Sequence, residues 1–212
     1  MRKPKRTRQL LSQLALIVIG LFVILPIWSM ARLAFDGSLL SRPVEFRLFP
    51  KQASIAPLLQ VLDHPYQSVT FINLFRNSMI VSFSAAFAAT ILGMSLAYAF
   101  ARFRFPGQKV GLFLMLLTAM LPPIAFTTPL YIVLSILKIR TTLYALAITY
   151  ATFAMPFCIW NMRAAFQAIP KELEEAAYLD GAGNFRTFLN ISLPLAIPSI
   201  AVSALIAFLL GY

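Results

Sequence analysis

One cysteine and one histidine among 212 residues remove whole classes of chemistry. A single thiol, Cys158, makes neither an intrachain disulfide nor a cysteine-based metal site. His64 stands beside Pro65 in a polar stretch and reads as a surface loop residue, so no metal site is expected. Charge is scarce, at 12% of residues against roughly a quarter in a soluble domain. It is absent altogether from Leu10–Met30, Asn77–Ala101, Val110–Leu137, Thr141–Trp160 and Leu195–Gly211. Each run is near or above the roughly 17–25 residues that cross a bilayer as a helix. In hydrocarbon every backbone group must be satisfied within the chain, which leaves helices. The fold class is therefore all-α: a polytopic helical bundle embedded in a lipid bilayer. The uncharged spans also lack the ionisable groups of ion-coupled carriers. No HExxH and no membrane carboxylate pair occurs, and no GK[ST] follows Gly181-Ala182-Gly183, so that tract is not a phosphate loop. If the protein pumps, its energy comes from elsewhere.

What charge there is leans basic: 18 Lys and Arg against seven Asp and Glu, a net +11. The cations cluster beside the apolar runs, as the positive-inside rule requires, so they point to the membrane surface and no nucleic acid is expected as partner. Residues 1–9 carry five basic residues and no acid, which makes them a cytoplasmic N-terminus. A basic start before an apolar run also suits a signal peptide, but no small-x-small cleavage site closes it. Residues 10–30 are taken as a retained first transmembrane helix. Alternation then puts residues 31–76 outside, with one short amphipathic helix near Ala56–Leu62. The core spans 77–212 and contains a cytoplasmic loop, 161–193. The outer loop carries five basic residues, a mild conflict that its length and Asp36, Glu45 and Asp63 soften.

Within the core, the second helix is expected over about Asn77–Phe100, with small residues that permit close helix approach. Phe105-Pro106-Gly107 makes an inner turn. A third helix over Val110–Leu137 contains Pro122, Pro123 and Pro129 and should be kinked. A fourth covers Thr141–Trp160, with Pro156 near its inner end, and a fifth runs from near Pro194. Thr127, Thr128 and Tyr131 are candidate pathway-lining residues through hydrogen bonds to a solute. They suit equally well the role of hydrogen-bonding glue between helices.

The polar stretch 172–194 is unlike an ordinary interhelical loop. Ile169-Pro170 opens a helix, since proline is tolerated in a first turn, and Glu172, Glu174 and Glu175 suit its positive end. Leu173, Ala176 and Ala177 fall on one face, small enough to pack into a partner's groove. Asp180-Gly181 ends it, because glycine takes the left-handed conformation of a helix C-terminus. Phe185, Phe188 and Leu189 form a second apolar face leading to Ile191, Leu193 and Pro194.

The spacing Glu175-Ala176-Ala177, three residues, Gly181, nine residues, Ile191, one residue, Leu193-Pro194 resembles the EAA motif of permease subunits of bacterial binding-protein-dependent ABC importers. Ala97–Gly107, Leu121-Pro122-Pro123, Pro129-Leu130-Tyr131, Pro156-Phe157 and Ile169–Ala177 extend the resemblance to the carbohydrate, maltose-permease-like branch. It implies a type I importer permease fold in the bacterial inner membrane, with about five of an expected six transmembrane helices before Tyr212. It implies a second permease subunit, a cytoplasmic ATP-binding cassette ATPase dimer and an extracytoplasmic solute-binding protein as partners. No cofactor is bound directly and the chain is not an enzyme, since the partner hydrolyses ATP. Glu174, Glu175, Ala176, Ala177, Asp180, Gly181, Ile191, Leu193 and Pro194 become the ATPase-coupling residues. Three alternatives remain: a self-contained membrane carrier, a membrane-embedded enzyme, or a non-functional fragment of a permease.

Overall fold

The computed structural model describes residues 6–38, 48–63 and 69–212; Glu45, His64 and Pro65 lie outside them. The described residues are helical, apart from turns and one isolated antiparallel bridge between Asp36 and Ala53. They divide into two units at Leu74/Phe75.

The first unit holds α1, Arg6–Ala34, and α2, Ala56–Asp63. Helix α1 overruns the expected 10–30 at both ends, because Arg6, Arg8 and Arg32 mark the edge of the apolar run and not the end of the helix. It is apolar on every side, as expected of a helix surrounded by lipid. Beyond it, Asp36 gathers the chain into a clip. Its carboxylate accepts hydrogen bonds from the Ser38 hydroxyl (2.6 Å) and amide (3.1 Å), and from the amides of Lys51 (3.0 Å) and Gln52 (3.4 Å). The Ser38 hydroxyl, then the Lys51 amide, hold the Asp36 carboxyl well below the usual carboxylate range. Trp28 donates its indole N–H to the Leu48 carbonyl at 2.7 Å and packs edge-on against Phe49. Helix α2 matches the short amphipathic helix expected there.

The second unit is built on α3, Phe71–Arg102, from Phe75 onward, on α6, Leu143–Ala168, and on α9, Leu193–Gly211. Small residues carry the packing: Ala85, Ala89 and Ala97 of α3, Ala151 and Ala154 of α6, and Ala196 and Ala207 of α9 are buried. Where only these small side chains intervene the backbones approach closely, which is how helices gain contact in lipid, while Ile159, Met162 and Phe166 fill the remaining core. Gly211 shows the limit: a Cβ there would sit 3.2 Å from the Ser82 Cα. Polar groups add glue. Asn161 of α6 donates to the Ser203 hydroxyl (2.8 Å) and the Ser199 carbonyl (3.2 Å) of α9.

The expected third helix is broken, not kinked. It comprises α4, Gln108–Met120, a tight turn at Pro123–Phe126, and α5, Thr127–Ile136, with a 98° bend. The cause is the proline pair. Leu121 and Pro122 each precede a proline, which disfavours the α conformation, and both are extended, with ψ of 134° and 132°. Pro26, Pro156 and Pro198 are isolated and stay inside helices. Pro129 is harmless because it lies in the first turn of α5, where its missing N–H has no partner to lose. Among the described residues, four helices are long and apolar enough to span, or five if the bent pair is one span. The second and fourth expected helices are longer than predicted, for the reason seen at α1: Arg76 begins no helix and Arg163 ends none.

Candidate functional site

The polar stretch condenses at the end of the bundle where α3 and α6 finish and α9 begins. Helix α6 stops at Ala168 because Ile169 precedes Pro170 and is held extended (φ −72°, ψ 125°). Pro170 turns the chain into α7, Lys171–Leu179. At its far end Gly181 takes φ +82°. The Gly181 amide bonds the Tyr178 carbonyl (3.1 Å) and the Ala182 amide reaches the Ala177 carbonyl (2.9 Å), the paired bonds of a Schellman cap.

A short helix α8, Asn184–Thr187, then runs through a wide π turn, Phe188–Ser192, into α9. The expected second apolar run is thus the first part of the last span, which is helical from Asn184 to Gly211. The wide turn has a local cause. Pro194 lacks an N–H and its ring crowds the carbonyl four residues back, and a local π adjustment removes that conflict.

Helix α7 divides its residues differently from the expected Leu173, Ala176 and Ala177 face. Glu174 and Ala177 point into the subunit, while Leu173, Glu175, Ala176, Leu179 and Asp180 are exposed. The division is set by charge. Glu174 Oε1 accepts from Arg102 Nε at 2.9 Å and from the Ser192 hydroxyl at 2.5 Å, with the two charged side chains only 6% exposed. A second guanidinium nitrogen of Arg102 donates to the Ile169 carbonyl at 2.9 Å. The last turn of α3 is held as well: Gln108 and Arg163 both donate to the Phe100 carbonyl, at 2.9 and 3.3 Å. These satisfy acceptors that a helix C-terminus leaves open. Beside them Tyr98 packs on Phe166 and Phe188, with ring centroids 5.4 and 4.6 Å away.

Of the expected coupling residues, Glu175, Ala176, Asp180 and Gly181 are therefore on the outer surface of the α7 hairpin. Glu174 and Ala177 form its underside. Ile191 and Leu193 are half-buried, and Pro194 is exposed at the start of α9. Arg102 and Ser192 are the residues missed. Ser192 lies between two motif positions, and Arg102 lies inside the stretch Ala97–Gly107; a basic residue at the edge of a span and an acid in the polar stretch were the available signal.

The candidate pathway residues are split. Thr127 and Thr128 are exposed in the first turn of α5. Tyr131, one turn on, accepts a hydrogen bond from Arg140, whose guanidinium carbon lies 4.9 Å from the ring centre. With Ser135, Lys138 and Thr141 they line an open cleft of about 450 Å³. The opposite face of α5 meets α6 across an apolar cavity of about 530 Å³.

Residues 89–211 match the family described as binding-protein-dependent transport system inner membrane component. The chain belongs to this family. Among relatives of this transport family, it is 37% identical to the diacetylchitobiose uptake system permease protein of Streptomyces coelicolor, over 64% of this chain and 45% of that one. It is 31% identical to the maltodextrin transport system permease protein of Bacillus subtilis, over 70% of this chain and 54% of the other. With the galactooligosaccharides transport system permease protein of the same organism it shares 30% identity over 98% of this chain and 72% of the other. It spans about half the length of the first two of these curated relatives. In fold it matches, with a TM-score of 0.80 and 21% identity, a solved bacterial ABC transporter involved in the import of the acidic polysaccharide alginate, over all of this chain and 74% of that one.

Proposed function

We propose that this chain is a transmembrane subunit of an ATP-binding cassette importer for a sugar. Its pathway is shared with a second permease subunit, and an extracytoplasmic binding protein delivers the solute. The carrying observation is the α7 hairpin: a nine-residue helix presented at the end of the bundle, capped at Gly181, with Glu175 and Ala176 outward. An exposed helix with small residues and a carboxylate suits a groove on a cytoplasmic ATPase dimer, the site of ATP hydrolysis in this scheme. The basic N-terminus sets that end of α1 in the cytoplasm of the bacterial inner membrane, and, with the bent α4–α5 pair counted as one span, alternation brings the α7 hairpin to the cytoplasmic side. Closure of the ATPase dimer draws the hairpins together and turns the pathway outward, a rigid-body switch between two states. The sugar branch is supported by relatives named for maltodextrin, diacetylchitobiose and galactooligosaccharides. Thr127, Thr128 and Tyr131 remain the pathway candidates.

The test is co-purification in detergent with the cognate ATPase, paired with uptake of tritiated maltodextrin, trehalose and diacetylchitobiose by cells expressing the full transporter. Glu175→Lys is expected to reduce ATPase recovery and uptake together while membrane insertion is unchanged. Full ATPase recovery and uptake with this variant would remove the α7 surface from the coupling mechanism.

A further inference from the structure

We infer that Arg102, Glu174 and Ser192 form a tether that makes α7 move as one body with the ends of α3 and α9. The inference rests on α7 being the ATPase-facing element, and it assigns Glu174 the opposite role from its neighbour Glu175: one holds the subunit, the other faces the motor.

The geometry is specific. Helix α7 is joined to its neighbours through two non-helical junctions, the extended Ile169-Pro170 on one side and the left-handed Gly181 on the other. A helix joined only at such points would swing when pushed, and the push would be lost. Three segments far apart in sequence instead converge on one carboxylate oxygen. Arg102 closes α3, Glu174 sits on α7, and Ser192 ends the π turn before α9. Arg102 adds a bond to Ile169, so it grips both the joint and the helix. The group is dry, and a buried pair that loses one member leaves an uncompensated charge. The tether therefore resists being pulled apart while α7 is under load. Ala177, the other inward residue, is small and lets α7 lie close enough for the short Ser192 hydroxyl to reach.

A positioning role predicts loss of coupling with retained docking, because the exposed face is untouched. The test uses the complete transporter, with its ATPase and second permease, in nanodiscs and proteoliposomes. Spin labels at Leu179→Cys and Phe105→Cys report the separation of α7 from the end of α3 in a Cys158→Ala background. In the wild type the distance distribution stays narrow and unchanged when ATP and vanadate are added. Glu174→Ala should broaden it, retain ATPase recovery, and raise ATP hydrolysed per sugar taken up by about tenfold, within the usual range of coupling free energies between sites. Glu174→Gln keeps the shape and an acceptor oxygen, so it should fold and fall between the two. The exchanged pair Arg102→Glu with Glu174→Arg should recover part of the narrow distribution.

An unchanged distribution and unchanged stoichiometry in both Glu174 variants would overturn the tether. So would loss of ATPase recovery in Glu174→Ala and Glu174→Gln without restoration by the exchange, since Glu174 would then be part of the docking surface. Failure of the wild type itself to recover an ATPase would instead refute the transport function proposed above.

Discussion

Gly181 offers the cleanest separation of backbone cost from contact cost. Its φ of +82° lies in the left-handed region, and a Cβ added there would meet nothing within 4 Å. Replacement by alanine therefore introduces no clash, and its whole effect is conformational. Forcing a residue with a Cβ into this region costs roughly 1–2 kcal/mol, of which the reduced freedom of the opened chain offsets roughly 0.4–1 kcal/mol. The net is about 1 kcal/mol, or about fivefold in the opening equilibrium of the cap. Asparagine tolerates the left-handed region and should cost less. Proline, fixed near φ −65° and without the N–H that bonds Tyr178, abolishes the cap. Hydrogen exchange of the Ala182 amide, bonded to the Ala177 carbonyl at 2.9 Å, reads this directly in detergent. The expected order of exchange rates is glycine, asparagine, alanine, proline, with the amides of α6 unaffected. Equal protection in the glycine and alanine forms would show that the cap does not depend on the left-handed backbone, and α7 would need another reason to stop.

Gly211→Val should lower the melting temperature through crowding of α9 against α3, at about 1–3 kcal/mol, whereas Gly183→Val, with nothing within 4 Å of its Cβ, should not; equal melting of the two would refute the close crossing. Asp36→Asn should loosen the clip of residues 48–54, read as a change in Trp28 fluorescence in a Trp160→Phe background. The folded pKa of Asp36 lies below its unfolded value, so its stabilisation is complete above about pH 4 and fades as pH falls further. The asparagine form should show no such acid dependence, and a shared one would assign the transition to another group. Replacing Pro122 and Pro123 together by alanine should lengthen the distance between spin labels at Leu114 and Ile132 as α4 and α5 straighten; an unchanged distance would place the cause of the bend in packing rather than in the prolines.

The helical membrane class was legible from charge-free runs alone, because a backbone in hydrocarbon has so few solutions. The ends of the helices were not. The expected ends beside Arg76 and Arg163 fell short, because a charge marks where lipid ends, while the hydrogen-bonded ladder of α6 continues until Pro170 stops it. Pro170 and Gly181 delimit the α7 region as expected. The bend at Leu121–Pro123 exceeds the expected kink because the adjacent prolines remove two consecutive residues from the α conformation. On α7, spacing identified the right helix but assigned Ala177 to the wrong face. Helical periodicity says which residues share a side and is silent about which side faces inward. Arg102, 72 residues earlier in the chain, decides that, and no local pattern contains it.

The π turn at Phe188–Ser192 changes what a single residue means in this part of the chain. Adding one residue to a continuous helix rotates everything beyond it by about 100° about the axis. The turn absorbs such a residue without ending the helix, so α8 and α9 belong to one helical span but not to one rotational phase. A face extrapolated from Ala196, Ser203 and Ala207 back through the turn would miss Thr187, which is buried, and misplace Phe185, which is exposed. Single-residue insertions and deletions between Phe188 and Ser192 therefore act as rotations rather than as changes of length. Chains that differ there would present different side chains to the same neighbours.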